Sequence, residues 1–592
     1  MKDASGAVLR ASLRWERGGG GELRKAASPR IDTDRCISCG TCLGACPTGA
    51  VQEMQRQICR LCPDCAEGEI MFPRDMEALT RRSCSLACPL GHFPEGYLNL
   101  LARGDWEGAW KLISAVNPLP GVLGRICSRP CEEECKRGIL IDRPMPIRAA
   151  KREVAEWARR SGLARPRRYP RHIDMRVAVA GGGPAGLTAA CDLASLGYRV
   201  TVFEKGPAPG GMLRLAVPSF RLPDEVWERE YSLALGERIE VVYGAAVGSS
   251  PTLDELFTGG YRAVILAMGA PAGKKLPIPG SDFQGVYDAL TFMGAVKQGR
   301  PVRVGERVVV IGGGSVATDV ARTALRKGAA EATLVCIEDE CSMPALSWEL
   351  EEARREGVKV AAAHAPLRIL SSWMQAEAVE LAGVACVRCD DLGRIYPELA
   401  EGRGMTLPAD TVIFAVGQGV DAAALRRMGL ELDGAGRPKT TGPGGATSRN
   451  GVFAAGDLLG GQGSVVEAMA SGRRAAAAAD AFLQGKEWAP EERQVGSAPL
   501  EEKIFPVRLE KLEPLRLPSL SPDEALSSFR EVDLSPGMEE VEADARRCMR
   551  CGYVEVDHRL CIGCGTCRDL CPAGDVIVMG PPQGLEPAGG EG

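Results

Sequence analysis

Cysteine spacing carries the first chemical signal in this chain. Eighteen of its 23 cysteines fall in two blocks, Cys36 to Cys135 and Cys548 to Cys571. Two runs copy one pattern: Cys36, Cys39, Cys42 and Cys46 before Pro47, and Cys561, Cys564, Cys567 and Cys571 before Pro572. Three thiolates at this spacing wrap one iron–sulfur cube, and the fourth reaches the same or a neighbouring cluster. Gly40, and Gly563 or Gly565, allow the close turns. The spacing is poor for zinc. A disulfide framework suits small secreted domains, whereas residues 1–30 carry no apolar signal core and the chain is long. A reducing cytoplasm is therefore the expected compartment.

Three further groups extend the pattern. Cys59, Cys62 and Cys65 form a run without its final Cys-Pro. Added to the first run they make seven thiols, so an eighth ligand comes from elsewhere or one thiol is idle. Cys84 and Cys88 precede Pro89, and Cys127, Cys131 and Cys135 follow a stretch of helical periodicity broken by Gly and Pro. Cys548 and Cys551 stand near the other end. The eighteen thiols do not divide into complete tetrads, and about four 4Fe-4S clusters are expected, within a range of roughly three to five.

The middle of the chain carries different chemistry. An apolar strand, VAVA, enters Gly181, Gly183, Pro184, Ala185 and Gly186, then a helix, and a second strand ends on Glu204 and Lys205. Such glycines permit a tight turn and close backbone approach to a pyrophosphate at a helix N-terminus, and the acid accepts from ribose hydroxyls. A second copy, VVVI followed by Gly312, Gly314, Ser315, Val316 and Ala317, leads to a strand that ends near Glu338. Strand, turn, helix and acid stand in register, which a lone glycine motif does not offer. Single-electron clusters beside a nicotinamide site require a two-electron to one-electron converter, and a flavin is the usual one.

Several phrases resemble the glutamate synthase small subunit family, whose core also opens dihydropyrimidine dehydrogenase and the large subunit of NADH-dependent ferredoxin:NADP oxidoreductases. They are Cys84-x3-Cys88-Pro89, Asn117-Pro118-Leu119-Pro120, Gly124-Arg125-Ile126-Cys127, Pro209 to Arg214, Phe220-Arg221-Leu222-Pro223, Asp410 to Gly417 and Gly451 to Asp457. The resemblance covers roughly residues 80–485. It implies FAD at the first fingerprint, with Gly211, Leu213, Arg214, Gly269, Gly417, Gly456 and Asp457 around it and a helix opening at Val465 and Val466 beneath the ring. It implies a nicotinamide at the second.

Three departures from the family bear on function. The family's Glu-Ala-x-x-Arg-Cys-x-x-Cys phrase stands here at Glu542 to Cys551. The resemblance thus implies that the C-terminal segment folds back and donates Cys548 and Cys551 to the helical domain. In a competing reading Cys59 and Cys62 fill that place. The family's Gln or Glu ligand aligns with Lys151, whose ammonium has no lone pair for iron. NADPH-using relatives carry Tyr-Arg-Arg where this chain has Cys336-Ile337-Glu338; a carboxylate there favours a free 2′-hydroxyl, so NAD(H) is expected over NADP(H).

These motifs need an α/β architecture: two Rossmann-like domains, one inserted in the other, a helical iron–sulfur domain and ferredoxin-like modules at both ends. The expected divisions are a tail (1–30), an N-terminal module (31–75), the helical domain (76–170) and the FAD domain (171–285 and 409–488) around the NAD domain (286–408). A linker (489–540), the C-terminal pair and module (541–578) and a second tail (579–592) follow. At 592 residues the chain exceeds one hydrophobic core. Apolar residues at 45% and charged residues at 25% are ordinary for a globular protein. A net charge of −5 disfavours nucleic acid or an anionic membrane, and no apolar run approaches the ~18 residues of a span.

Cys191 and Cys336 read as packing residues, and Cys386-x2-Cys389 as part of a strand and hairpin, the wrong setting for a redox disulfide. The expected activity is that of an NADH:acceptor oxidoreductase subunit: hydride transfer between NAD(H) and FAD, then single electrons through clusters to or from a ferredoxin or larger redox enzyme in a hetero-oligomeric complex. No side chain need act as a covalent catalyst. The alternatives are a glutamate synthase small subunit and a non-catalytic relay, and the intact glycines argue against the relay.

Overall fold

The computed structural model describes residues 15–17, 23–25, 28–31, 36, 42, 50–55, 58–59, 84–140, 142–169, 171–389, 395–460, 463–490, 495–497, 505–506, 512–549, 551–556, 567, 571 and 577–580. They divide into two units, 1–172 with 490–517 and 535–592, and 173–489 with 518–534. The stretch expected as a linker, 489–540, is thereby shared between both.

In the second unit a seven-stranded sheet carries the first fingerprint. Arg176–Ala180 lies inside it, parallel to Arg199–Glu204 on one side and Tyr261–Leu266 on the other. Val177, Ala178 and Val179 have no exposed surface, as suits a strand covered on both faces. The second fingerprint opens from Arg307–Ile311 in a five-stranded sheet, parallel to Glu331–Val335 and Thr411–Phe414. A three-stranded antiparallel sheet, His364–Ser372, Gln375–Cys389 and Ile395–Pro408, is inserted between the last two.

Phe220 anchors the residues that link these domains. Arg322 and Arg326 of the second fingerprint's helix stack over its ring at 4.8 and 3.9 Å, while Leu520, Ala525, Phe529 and Val532 pack on it from the returning segment 518–534. Next to it, Arg221 forks Asp319 at 2.9 and 2.8 Å and reaches Glu349 at 2.5 Å. Nη1 serves both Asp319 oxygens and Nη2 serves Glu349, so two carboxylates on two nitrogens of one planar guanidinium fix its orientation.

The first unit holds the helical domain: Pro94–Leu101, Trp106–Val116, Pro120–Ile126, Ile147–Arg160 and, from far along the chain, Met538–Ala545. The N-termini of Trp106–Val116 and Pro94–Leu101 are marked by an Asp105 cap and by Pro94 in the first turn. The late helix buries Val541 and Ala545 against Tyr97, Leu101, Trp106 and Val154, and Glu542 accepts from the Trp106 indole at 2.7 Å.

Both chain ends also enter this unit. Ser28–Ile31 pairs antiparallel with Ile577–Gly580, and Val51–Gln55 pairs antiparallel with Gly552–Val556. Cys36, Cys42, Val51, Cys567 and Ile577 form one buried core between them, with Cys571 packed against it. Among the described residues, no helix is long and apolar enough to cross a membrane.

Two helices beside the first fingerprint meet in one close approach. A Cβ at Gly472, on helix Val465–Leu483, would stand 2.1 Å from the Ala185 carbonyl oxygen on helix Pro184–Leu196. Backbone cannot give way as a side chain tip can. Gly472→Val is expected to destabilise this unit by about 1–3 kcal/mol, seen as a lowered melting temperature of the apo chain; an unchanged melt would mean the two helices separate freely.

Candidate redox centres

The first fingerprint is shaped by three glycines in three ways. Gly181 adopts φ +107, and a Cβ there would meet the Ala267 carbonyl oxygen at 2.4 Å. At Gly186 a Cβ would meet the Gly181 carbonyl oxygen at 2.0 Å, which locks helix to strand. Gly183 differs: its Cβ position has only the Gly211 Cα nearby, at 3.8 Å, which leaves the helix N-terminus open to an incoming group. Pro184 and Ala185 begin the helix. Glu204 accepts from the Gly182 and Gly206 amides at 2.8 and 2.7 Å, so its carboxylate lies over the turn; Lys205 beside it is exposed.

Other segments converge on this turn. The Gly210 amide donates to the Gly182 carbonyl at 2.9 Å and brings Gly211, buried Leu213 and half-buried Arg214 alongside. Gly456, with φ +68, sits against Ala185 and donates to Ser471 Oγ at 2.9 Å. Burial, and then the carboxylate of Glu467, raise the Asp457 carboxyl above its ordinary range. Ser464 caps the helix that starts with half-buried Val465 and buried Val466. Gly269 and Gly417, at φ +64 and +103, have no heavy atom near their Cβ positions.

The second fingerprint repeats this geometry. A Cβ at Gly312 would meet the Ala415 carbonyl oxygen at 2.4 Å, while Gly314 has nothing within 4 Å. Ser315 starts the helix, Val316 is exposed and Ala317 is buried inside it. A Cβ at Gly313 would stand 3.1 Å from Glu338 Oε2, and one at Gly182 would stand 3.0 Å from Glu204 Oε2. The two acids thus occupy corresponding positions over their turns.

The thiols of the helical domain fall into two groups. Burial, Glu95, and then the thiols of Cys135, Cys548 and Cys551 push the Cys84 thiol well up. Burial, Glu95, Cys548 and Cys135 act likewise on Cys551, with Lys136 opposing. Cys88, Cys127 and Cys131 form the other group: burial raises Cys127 and Cys131, Cys88 adds to it, and Lys151 pulls both back. Lys151 is buried, 4% exposed, on helix Ile147–Arg160. Buried thiols that burden one another suit a multinuclear cation, which binds thiolate and removes the proton outright. Among the described residues no three His, Cys, Asp or Glu are placed to share a single metal ion.

The pair Cys548 and Cys551 is held by Arg547. Its guanidinium is 1% exposed and bonds to Asp544 at 2.7 Å, Asp142 at 2.9 Å and the Arg143 carbonyl at 2.9 Å. Arg137 grips Asp142 at 2.6 and 2.8 Å and donates to the Arg547 carbonyl at 2.7 Å. Against the cost of burial, the hydrogen bonds from Arg137, the Arg143 amide and Arg547 hold the Asp142 carboxyl far below its ordinary range. Neither this clasp nor the Arg221 contact carries a local sequence signal; Arg547 adjoins the Cys548 motif, but Asp142 and Arg143 lie some 400 positions away.

Residues 175–472 match the pyridine nucleotide-disulphide oxidoreductase family. The chain belongs to that family. Within this oxidoreductase, residues 78–163 match the 4Fe-4S domain II of dihydropyrimidine dehydrogenase, and 29–52 and 554–575 match the 4Fe-4S binding domain. It is 33% identical over 517 residues to the NADP(+)-dependent formate dehydrogenase subunit beta of Moorella thermoacetica, across 79% of this chain and 70% of the relative. It is 30% identical over 507 residues to the NADPH-Fe(3+) oxidoreductase subunit beta of Geobacter sulfurreducens, across 79% and 75%. The glutamate synthase [NADPH] small chain of Mycobacterium tuberculosis is 33% identical over 446 residues, across 71% and 89%. The protein is therefore an iron–sulfur flavin NAD(P)H oxidoreductase.

The expected ligands Cys39, Cys46, Cys62, Cys65, Cys561 and Cys564, with Gly40, Gly563 and Gly565, lie outside the described residues, and of Cys59 only the backbone is described, in a short strand with Phe505–Pro506. Burial, then Glu338, push the buried Cys336 thiol up to about 11, and Cys191 is buried too. Cys386 and Cys389 share one strand, Gln375–Cys389, and Cys386 contacts Glu398 at 2.9 Å. The double variant Cys386→Ser, Cys389→Ser is expected to keep unaltered NAD(P)H-dependent dye reduction; a large fall in turnover would restore a dithiol role.

Proposed function

We propose that this oxidoreductase works with NADH, as a subunit that passes electrons between NAD(H) and a ferredoxin or a larger redox enzyme in a hetero-oligomeric complex. FAD is assigned to the first fingerprint and NAD(H) to the second. Bound flavin supplies the exchange between hydride and single-electron chemistry, which side chains lack. The chain's own residues position and insulate. Gly183 and Gly314 leave room for pyrophosphate, Glu204 and Glu338 would offer acceptors to ribose hydroxyls, and the helix at Val465 and Val466 would help to hold the flavin.

Four 4Fe-4S clusters are assigned on the same footing, about the number that the cysteine runs suggest. One takes Cys84, Cys135, Cys548 and Cys551. A second takes Cys88, Cys127 and Cys131 beside Lys151, which leaves one iron without a fourth thiolate. The terminal runs take two more. The cytoplasm is the assigned compartment.

Glu338 carries the NADH reading. Its carboxylate stands over Gly313 as Glu204 stands over Gly182, where it welcomes a 2′-hydroxyl and repels a 2′-phosphate. The relatives named above carry NADP(+) or NADPH in their names, so the NADH reading rests on this residue and not on them. A role as the small subunit of a glutamate synthase is the second reading, favoured by the 89% of the Mycobacterium tuberculosis chain that is matched. It leaves the paired terminal strands and their cysteines without a use.

Steady-state reduction of a viologen dye by the isolated chain tests the proposal. NADH should give the higher kcat/KM, and Glu338→Arg should move the preference toward NADPH by about tenfold or more, near 1.4 kcal/mol. A wild-type preference for NADPH would overturn the cofactor assignment. No turnover with either nucleotide would favour a non-catalytic relay.

A further inference from the structure

The two terminal cysteine runs stand more than 500 positions apart, yet their flanking strands interleave. The strand before the first run, Ser28–Ile31, pairs with the strand after the second, Ile577–Gly580. The strand after the first run, Val51–Gln55, pairs with the strand before the second, Gly552–Val556. Ile31 stands opposite Ile577 and Val51 opposite Val556, so each run is enclosed by strands of both ends in an approximately two-fold arrangement. Apart from the pair Trp15–Arg17 and Leu23–Lys25, which flanks neither run directly, no strand beside a run pairs with a strand of its own end among the described residues. A two-stranded ribbon alone is marginal, so each end needs the other for its core.

The thiols follow the strands. Cys36 and Cys42 of the first run and Cys567 of the second are buried together with Val51 and Ile577, and half-buried Cys571 packs against that shared core. In two-cluster ferredoxins the fourth cysteine of one run ligates the cluster of the other. We infer that Cys571, the last cysteine of the C-terminal run, ligates the cluster held by Cys36 and Cys42, not the cluster held by its own neighbour Cys567. The ends are then one ferredoxin stitched across the chain, not two modules. This rests on the assignment of clusters to the terminal runs made above.

Double variants of the full chain decide the partnership through iron content and spin quantitation of the reduced protein. Cys36→Ala and Cys567→Ala each set the loss of one cluster. Cys36→Ala with Cys571→Ala should lose no more than Cys36→Ala alone, while Cys567→Ala with Cys571→Ala should lose a second cluster. The reverse pattern, equal loss in both doubles, or full retention in Cys571→Ala overturns the inference. Cys571→Ser gives an independent reading: its altered cluster spectrum should appear in the Cys567→Ala background and vanish in the Cys36→Ala background, and the opposite result overturns the inference. A wild-type chain whose iron is all accounted for by the helical domain would overturn the terminal cluster assignment itself.

Discussion

A buried guanidinium decides how the helical domain is completed. Arg547 must be paired where it lies, because an isolated buried charge is very costly and removal of one partner from such a pair costs about 3–5 kcal/mol. Its partners come from Asp544 on its own segment and from Asp142 and the Arg143 carbonyl on the N-terminal segment. Satisfying that one side chain therefore brings residues from opposite parts of the chain together. Cys548 follows immediately and packs against the core that holds Cys131 and Cys135. Helix Met538–Ala545 adds the apolar part of the same docking, through Val541 and Ala545.

The same economy recurs in the second unit. Two fingerprints of one geometry need a fixed relation if a nicotinamide and a flavin are to meet, and reacting atoms must approach within roughly 3–3.5 Å. The fork from Arg221 to Asp319 and Glu349 ties the segment after the first fingerprint to the helix of the second. Phe220 is gripped from both sides, by Arg322 and Arg326 and by the returning segment at Leu520 and Val532. Polar pairs fix direction here, while the apolar cap excludes water from them.

Local chemistry was legible in the sequence. Strand, glycine turn, helix and terminal acid are set by backbone demands within some twenty residues, and Glu204 and Glu338 stand over their turns as the pattern required. Displaced motifs were legible too, because Cys548 and Cys551 kept the phrase that precedes them. Pairing between distant strands was not. Ser28–Ile31 and Ile577–Gly580 carry no mark of each other, since register between remote strands is chosen by a core that exists only once both are present. Segment 518–534 read as a linker for a related reason: its few apolar residues acquire meaning only against Phe220.

In the proposed cluster assignment the C-terminal segment completes the metal set of the N-terminal helical domain. An iron-edge anomalous difference map of crystals of the cluster-loaded chain measures this most directly. A compact peak bounded by Cys84, Cys135, Cys548 and Cys551 is expected. A peak bounded instead by Cys84, Cys135, Cys59 and Cys62, with Cys548 and Cys551 away from iron, would contradict it.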